Sequence, residues 1–367
     1  MKNLNYLFLF LVLLVSCSKD ESSEVNPGPG SPEQESGLKV RAVDISGFPE
    51  IDQAGTVFFN SEGEQEDFLD ILKNSGVNTV RLRLWVDPTN SHSGFEEVKA
   101  FSKAIRQKGF SLWLSLHYSD TWADPAHQQK PKAWKELSFN DLKAQVVEYT
   151  TTVVEQIEPD FVQVGNEINS GFLFPEGNIS SNPAQFKELL EAGVNAVRKT
   201  RPQTRIIIHF AGYQNADWFY GQLTQLDYDI IGLSYYPLWH GKNLKELKNT
   251  LETLSARYDR QVILAETAYP FTLDYNDWTN NIIGLEEQLI PGYPASMEGQ
   301  RAFLQDISKI LESTESAIGF SYWGAELVAW NGPESKQGSP WENQALFDFN
   351  NQALPALKIF SDFQVQF

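Results

Sequence analysis

Cysteine is almost absent from this chain of 367 residues, which contains a single copy at Cys17. One cysteine excludes an intramolecular disulfide, a zinc cluster built on several thiolates and a cysteine redox pair. Positive charge is also scarce, since 29 Lys and Arg stand against 48 Asp and Glu and give a net charge of −19. A polyanion is repelled by such a chain. These shortages disfavour nucleic acid and anionic membrane surfaces as partners.

Long hydrophobic runs and the common cofactor motifs are missing as well. The apolar run at residues 6–15 has about ten residues, too few to cross a bilayer core of about 30 Å. No GxGxxG turn, P-loop, GxSxG or HExxH motif occurs anywhere in the chain. The sequence therefore lacks the usual signatures of dinucleotide and phosphate binding, of serine hydrolases and of zinc proteases.

The N-terminal segment predicts export of the protein. Lys2 precedes the apolar run, which has the length of a secretory signal core. Cys17 follows Leu14-Val15-Ser16, which resembles a bacterial lipoprotein box. Residues 1–17 are predicted to be a lipoprotein signal peptide with a lipidated Cys17, and a chance cysteine beside an ordinary cleavage site is the alternative. Cell fractionation of a Cys17→Ala variant tests this prediction.

Residues 18–37 are predicted to be a disordered acidic tether. They consist of Ser, Pro, Gly and acidic residues with almost no apolar side chain, so they cannot bury enough surface to fold. Asp20 and Glu21, directly after the cysteine, resemble the surface-export tethers of Bacteroidetes-type lipoproteins. We expect a monomer attached to the bacterial outer membrane, at the cell surface, with membrane contact only through its lipid.

Residues 38–367 are predicted to form one catalytic domain in which short apolar runs alternate with amphipathic stretches. The predicted strands are Val40–Ile45, Thr79–Trp85, Ser111–His117, Phe161–Val164, Arg205–Phe210, Ile230–Ser234, Gln261–Ala265 and Ala317–Trp323. The predicted helices are Glu66–Lys73, Phe95–Arg106, Leu142–Gln156, Pro183–Arg198, Asp217–Leu226, Leu244–Tyr258, Gly299–Leu311 and Leu354–Phe363. Strict alternation with eight strands indicates an α/β protein with a single (β/α)8 TIM barrel. A doubly wound sheet is the alternative, but it would usually bring a glycine-rich turn after the first strand.

The segments that follow the predicted strands are long and rich in aromatic residues, whereas those that precede strands are short and polar. In a barrel, the loops after the strands build the active site at the C-terminal face. Two predicted strands end in a carboxylate: residues 161–167 end in Asn166-Glu167, and residues 262–266 end in Glu266. Burying a charge is costly unless it is used or paired. Two such carboxylates across a barrel mouth are typical of glycoside hydrolysis, although a single one could be a structural ion pair.

With these residues in view, the sequence resembles the clan A retaining glycoside hydrolases, and more narrowly the family 53 endo-β-1,4-galactanases. The most specific match is the run from His117 to Pro125, HYSDTWADP. The other matching stretches are Val43–Ser46, Asn78–Pro88, Gln163–Ile168, Gly232–Pro237 and Ala265–Pro270. The resemblance covers the body of the chain from about residue 40 to residue 325, and it implies a barrel that hydrolyses β-1,4-galactan or galacto-oligosaccharides.

The resemblance also implies roles for individual residues. Glu167 matches the acid/base, Glu266 the nucleophile and Asn166 the residue that hydrogen-bonds the sugar 2-hydroxyl. Arg81 and Arg83 alternate with leucines on the second strand, so both point into the barrel. Arg81 best matches the cationic partner of the nucleophile, which must stay ionised.

Further residues are predicted to bind substrate. One of Tyr235 and Tyr236 should orient Glu266 through its hydroxyl, and Tyr236 is favoured because it shares a face with Ser234. Trp323 resembles the platform under the reacting sugar. The remaining candidates are Asp44, Trp85, His117 and His209. For Asp44 a buried hydrogen-bonding role is the alternative, and either histidine could instead be satisfied by a backbone carbonyl at the edge of the core. Outer subsites are expected among Trp85, Trp122, Trp239, Trp330 and Trp341.

The chain departs from the family it resembles in the loop after the seventh strand, where some bacterial members of that family carry a structural calcium. Asp277 and Asn281 could match its ligands, but a Thr and a Tyr stand where His and an acid would be. Calcium takes six to eight oxygens, so we expect no metal site here and no cofactor for the chemistry. Two other functions remain open: a barrel of the same mechanism acting on another β-1,4-glycan such as mannan, and a non-catalytic surface glycan-binding lipoprotein.

Overall fold

The computed structural model describes residues 39–363. The predictions for the signal peptide, for Cys17 and for the tether at 18–37 lie outside the described residues and stay predictions. Along residues 39–363, every helix falls short of the length or apolar character needed to cross a membrane.

Eight parallel strands close into a barrel in sequence order, with the first strand paired to the last. The strands are β1 Val40–Asp44, β2 Thr79–Leu84, β3 Ser111–Leu116, β4 Phe161–Val164, β5 Arg205–Ala211, β6 Ile230–Tyr235, β7 Gln261–Thr267 and β8 Ala317–Trp323. Each agrees with its predicted range to within two residues. The predicted (β/α)8 barrel is confirmed, and the doubly wound alternative is excluded because the sheet has no open edge.

Ten helices surround this barrel within residues 39–363. They are α1 Phe48–Gln53, α2 Phe68–Asn74, α3 Phe95–Gln107, α4 Phe139–Ile157, α5 Pro183–Thr200, α6 Ala216–Gly221, α7 Pro237–His240, α8 Leu244–Tyr258, α9 Met297–Glu312 and α10 Ile359–Asp362. The short α1 and α7 were not predicted, because each begins with a proline in its first turn and is too short to show a helical period. The predicted helix at 354–363 is instead a 3₁₀ turn, Pro355–Lys358, followed by α10.

The interior of the barrel changes from apolar to polar toward the C-terminal ends of the strands. The apolar part is filled by Val40, Ala42, Trp113, Ile207, Ile230, Ile263, Ala265 and Ile318. Above it, the guanidinium of Arg81 lies 5.5 Å from the centre of the Trp113 ring. Trp113 is fully buried, and its indole separates the apolar interior from the polar residues above it.

Two local backbone features turn the carboxylates into this mouth. After β4, Gly165 has φ 80° and Glu167 has φ 47°, a left-handed conformation that costs a non-glycine residue about 1–3 kcal/mol and clusters at functional sites. In β7 the register shifts by one residue, so that Leu233 pairs with Leu264 but Ser234 pairs with Glu266. This bulge brings Glu266 to the interior directly after the inward-facing Ala265.

The loops after β7 and β8 are joined along their length. Backbone hydrogen bonds link Phe271 to Asn343 at 2.9 Å and Ile282 to Pro340 at 2.9 Å. The Asn343 side chain adds bonds to the carbonyls of Thr272 and Ile283. The two loops therefore form one wall beside the barrel mouth, as expected for a barrel with long loops after its strands.

Candidate active site

A cleft of about 940 Å³ opens at the C-terminal face of the barrel. Residues in or directly after all eight strands line it: Asp44, Arg81, Arg83, His117, Asn166, Glu167, Ala211, Tyr236, Glu266 and Trp323. The two predicted catalytic carboxylates therefore share one cavity. Of the other predicted site residues, the structure brings Asp44, Arg81, Arg83, His117, Asn166, Tyr236 and Trp323 into the same lining.

The carboxylates of Glu167 and Glu266 each place an oxygen within 4.8 Å of the other. Retaining glycosidases hold their two carboxyl groups about 5–5.5 Å apart, whereas inverting enzymes separate them by about 6.5–9.5 Å to admit a water. The spacing in this cleft lies on the retaining side.

Arg81 is the electrostatic centre of the site. Its side chain is 1% exposed and donates to Glu266 Oε1 at 2.8 Å, Asp44 Oδ2 at 2.6 Å and Asn166 Oδ1 at 2.9 Å. Burial alone would lower the pKa of Arg81, but the carboxylates of Glu266 and Asp44 raise it above its ordinary value. Arg81 therefore stays charged beside Glu266.

Glu266 receives a second donor from Tyr236, whose hydroxyl lies 2.9 Å from Oε2. Burial raises the pKa of Glu266, while the charge of Arg81 and the hydrogen bond from Tyr236 act in the opposite direction. Burial and the Glu266 charge keep the pKa of Tyr236 well above its ordinary value, so its hydroxyl remains a donor. Glu266 is consequently the member of the pair that is better stabilised as an anion.

Glu167 has the opposite environment. Burial and the nearby charge of Glu266 raise its pKa to about 8, although a hydrogen bond from Ser234 and the charge of Arg81 lower it in part. Two carboxyl groups this close cannot both ionise easily. At neutral pH the shared proton therefore resides on Glu167 and the negative charge on Glu266.

His117 offers a neutral donor to the cleft. Its Nδ1 accepts the backbone N–H of Ala123 at 3.2 Å and the indole N–H of Trp85 at 3.3 Å. Burial and the charges of Arg81 and Arg83 hold the pKa of His117 well below its ordinary value. Because Nδ1 accepts, the single ring proton lies on Nε2, where it can donate to a ligand hydroxyl.

An arc of aromatic side chains lies around the carboxylates. The Trp323 ring centre is 4.5 Å from that of Trp341 and 6.1 Å from that of Trp122. Trp239 continues the arc at 6.1 Å from Trp341, and Trp330 also lines the cleft. Flat apolar faces of this kind stack on the apolar faces of sugar rings. Four of the five tryptophans predicted for outer subsites thus belong to the lining, and the fifth, Trp85, does not.

Three residues predicted to bind substrate lie outside the cleft lining. Tyr235 points outward because strand side chains alternate, and it packs on Phe303 of α9 while its hydroxyl donates to the carbonyl of Gly241. Trp85 is covered, since the Arg83 guanidinium lies 4.8 Å from its ring and 4.3 Å from that of Trp122. His209 is fully buried, and its ring nitrogens contact Ser234 and Gln163. These three residues therefore do not line the substrate cleft; they contact neighbouring protein groups instead.

Sequence reasoning missed a layer of uncharged polar residues beneath the carboxylates. The Gln163 side chain bonds to Arg81, Ser115, Asn166 and His209. Ser234 donates to Glu167. The signal was available, because Ser115, Gln163 and Ser234 are polar residues within otherwise apolar strands. This signal did not identify the contacts, because the sequence does not show which polar side chains lie next to each other in the folded barrel.

The loops after β7 and β8 together leave three buried side-chain oxygens without a hydrogen-bond partner in the described part of the chain: Asp277 Oδ2, Asn281 Oδ1 and Glu342 Oε2. Glu342 comes from the loop after β8, which was not considered a source of ligands. Three oxygens are half or fewer of the six to eight that calcium takes, so these side chains alone do not complete a calcium site. The prediction of no structural calcium stays a prediction.

A second group of possible ligand atoms occurs in the cleft itself, where Glu167, His209 and Glu266 come within 4.8 Å of one another. Both ring nitrogens of His209 are occupied, Nε2 by Ser234 at 2.8 Å and Nδ1 by Gln163 at 3.0 Å. A metal ligand would require one of these nitrogens to be free. The bonding therefore fits carboxyl chemistry without a metal.

A closed (β/α)8 barrel with such a carboxyl pair at its C-terminal face defines a glycoside hydrolase. The comparison with known families gives the same class, since the profile described as Glycosyl hydrolase family 53 matches residues 40–360. The chain belongs to glycosyl hydrolase family 53.

Relatives and solved structures agree with this membership. The family 53 catalytic domain of Ignisphaera aggregans is 40% identical with a TM-score of 0.82, covering 91% of this chain and 98% of that one. The arabinogalactan endo-beta-1,4-galactanase of Cellvibrio japonicus is 34% identical and matches 88% of this chain and 90% of its own. The endo-beta-1,4-galactanase of Bacillus subtilis is 31% identical, with 88% and 85% covered.

Proposed function

We propose that this glycoside hydrolase is an endo-acting β-1,4-galactanase that works by retaining double displacement, with Glu167 as acid/base and Glu266 as nucleophile. The observation that carries the mechanism is the approach of the two carboxylates to within 4.8 Å. The substrate class follows from the family and from the galactanase activity named for its relatives in Cellvibrio japonicus and Bacillus subtilis.

In the first step, the Glu266 carboxylate attacks C1 of the reacting galactose and forms a C1–O bond. The bond from C1 to the glycosidic oxygen breaks, and that oxygen takes the proton of Glu167 as it leaves. Arg81 and Tyr236 keep Glu266 ionised before the attack, because both donate to its oxygens. The raised pKa of Glu167 keeps its proton available at neutral pH.

In the second step, Glu167 is ionised and takes a proton from water as the water oxygen attacks C1. The bond between C1 and Glu266 breaks, and Glu266 leaves as a carboxylate stabilised again by Arg81. Two inversions at C1 give a product with the anomeric configuration of the substrate. Both steps use protein carboxyl groups and water, so the mechanism requires no cofactor.

The charge and the lining of the cleft suit a neutral galactan. A protein of net charge −19 does not repel an uncharged polymer. Because O4 of galactose is axial, one face of the ring is apolar and can stack on Trp323 and its neighbours. The non-catalytic alternative should lack a catalytic glutamate or its arginine, and Glu167, Glu266 and Arg81 all stand together in this cleft.

Product analysis on a panel of polysaccharides tests this function. We expect β-1,4-galactan to be cut into oligosaccharides and mannan and β-glucan to be left intact. The anomer of the first product, read by NMR before mutarotation, should be β. Cleavage of mannan but not galactan would support the alternative substrate, and an α-anomer would overturn the retaining mechanism.

A phenylalanine at position 236 should slow catalysis without preventing folding. Tyr236→Phe removes one hydrogen bond to an anionic oxygen of Glu266, a contact of about 1.5–3 kcal/mol, so kcat on galactan should fall about 10–100-fold. Tyr235→Phe is the matched control, since that hydroxyl bonds to Gly241 on the outer face of the barrel. Steady-state kinetics that affected both variants equally would remove Tyr236 from its assigned role.

A further inference from the structure

The two oxygens of the Glu167 carboxyl group have different surroundings. Oε1 accepts the hydroxyl of Ser234. Oε2 forms no hydrogen bond with any side chain or backbone group of residues 39–363, and Glu167 lines the cleft. A proton on Oε2 could therefore be passed to a glycosidic oxygen, whereas a proton on Oε1 would face the protein. What decides between the two oxygens is the direction of the bond from Ser234.

The direction of the Ser234 hydrogen bond is set by His209, which contacts the Ser234 hydroxyl. Its Nε2 lies 2.8 Å from Ser234 Oγ. Its Nδ1 faces the side-chain Nε2 of Gln163 at 3.0 Å and the backbone N–H of Glu167 at 3.4 Å. The Gln163 amide cannot be turned around, because its oxygen accepts from Arg81 at 3.1 Å. The backbone N–H of Glu167 has no other acceptor among residues 39–363, so Nδ1 must be the acceptor.

The remaining contact of Nδ1 is Asn166 Oδ1 at 3.1 Å, an acceptor that needs no proton from the histidine. That oxygen already accepts from Arg81 at 2.9 Å and from Gln163 at 2.8 Å. Burial and the charge of Arg81 hold the pKa of His209 well below its ordinary value, so the ring carries one proton. This proton lies on Nε2 and is donated to Ser234.

Ser234 then has a single way to complete its own bonding. Its oxygen accepts from His209, so its hydroxyl proton can only be given to Glu167 Oε1. If the Glu167 proton were on Oε1, it would point at the Ser234 hydroxyl proton, and that hydroxyl would have no acceptor. A buried donor without an acceptor costs about 1–3 kcal/mol, which disfavours that arrangement.

We propose that Ser234, oriented by His209, is a positioning residue that holds the acid proton of Glu167 on Oε2, the oxygen that faces the cleft. The assignment rests on Glu167 acting as the acid of the proposed function. Ser234 touches no substrate; it acts through Glu167, and His209 acts through Ser234. The device serves the first step, in which the proton must already lie on the correct oxygen when the glycosidic bond breaks.

Other groups also face Glu167 and contribute to its titration. They are Glu266 from β7, Arg81 from β2, Asp124 from the loop after β3, Tyr236 after β6 and His209 from β5. None of them donates to Glu167 Oε1. The effect of Ser234 can thus be separated from theirs by a change at position 234 alone.

The test compares two substrates across pH for a Ser234→Ala variant. On galactan, whose leaving group needs a proton, kcat should fall about 10-fold. On an aryl β-galactoside with a dinitrophenolate leaving group, the rate of glycosylation should stay close to that of the wild type. The alkaline limb of kcat/KM should move upward by about one pH unit, because the lost hydrogen bond favoured the ionised form of Glu167.

Two further variants keep the test decisive. Ser234→Cys fills the same space with a much weaker donor, so it should repeat the result if the alanine variant folds poorly. Ser321→Ala is the matched control, because this buried hydroxyl in β8 has no hydrogen-bond partner within the described chain. Equal losses on both substrates with an unmoved alkaline limb would overturn the proposal.

A double variant separates this inference from the proposed function. If Ser234 acts only through Glu167, then Glu167→Ala with Ser234→Ala should cost no more than Glu167→Ala alone. Full additivity of the two losses contradicts the positioning role and leaves the acid role of Glu167 intact. Normal galactan turnover by Glu167→Ala would instead remove the proposed function itself.

Discussion

Replacing Glu266 by alanine should reduce kcat on galactan by at least about 10⁴-fold, because the variant has no group that can form the bond to C1. Substrate binding should survive, since Trp323, His117 and the other lining residues are untouched. The expected result is therefore a collapse of kcat with a small change in KM, measured by reducing-sugar release under steady-state conditions.

Azide gives the Glu266 prediction a chemical signature. A small anion can enter the space left by the carboxylate and attack C1 once, so an activated aryl β-galactoside should yield an α-galactosyl azide in the Glu266→Ala variant. Glu342→Ala is the control, because Glu342 is equally buried but lies outside the cleft lining. Near-normal turnover by Glu266→Ala, or formation of the β-azide, would exclude Glu266 as the nucleophile.

Replacing Glu167 by alanine should cost about 10²–10⁴-fold on galactan, the usual contribution of a general acid or base. The loss should depend on the leaving group. An aryl β-galactoside with a dinitrophenolate leaving group needs no proton in the first step, so the variant should release one equivalent of phenolate in a burst and then stall, because water is no longer activated. Azide should restore turnover and give the β-azide, since attack occurs on the intermediate held by Glu266.

The assignment of Glu167 as the acid also predicts the direction in which kcat/KM changes with pH. Glu167 donates only while it is protonated, and its pKa is raised to about 8, so kcat/KM on galactan should fall as pH rises through about 8. The residual activity of Glu167→Ala on galactan should lack this alkaline limb, because the group that titrates has been removed.

Glu326→Gln is the control for the alkaline limb. Burial and the charge of Asp44 also raise the pKa of Glu326 to about 8, yet Glu326 is not itself a lining residue, and its Oε1 accepts from the Gly47 backbone N–H at 2.7 Å. If Glu326→Gln abolishes the alkaline limb and Glu167→Ala keeps it, the pH dependence belongs to the wrong carboxyl group for this mechanism.

The sequence predicted the barrel because its signals are local. Each strand is a short apolar run, and each helix between strands has an amphipathic period, so neither depends on distant residues. The two carboxylates were predictable for a related reason, since an acidic residue at the end of an apolar strand is costly unless it is used. The short helices α1 and α7 escaped because four to six residues around a proline show no period.

The sequence by itself therefore determined which strands exist and which end of the barrel carries Glu167 and Glu266. Only the tertiary structure decided which side chains meet, because those contacts join strands far apart along the chain. A one-residue register shift in β7 turns Glu266 inward, alternation turns Tyr235 outward, and closure of the barrel places His209 and Ser234 behind Glu167. Strand periodicity specifies a face of the sheet, but the direction of a hydrogen bond between two strands exists only once the barrel has closed.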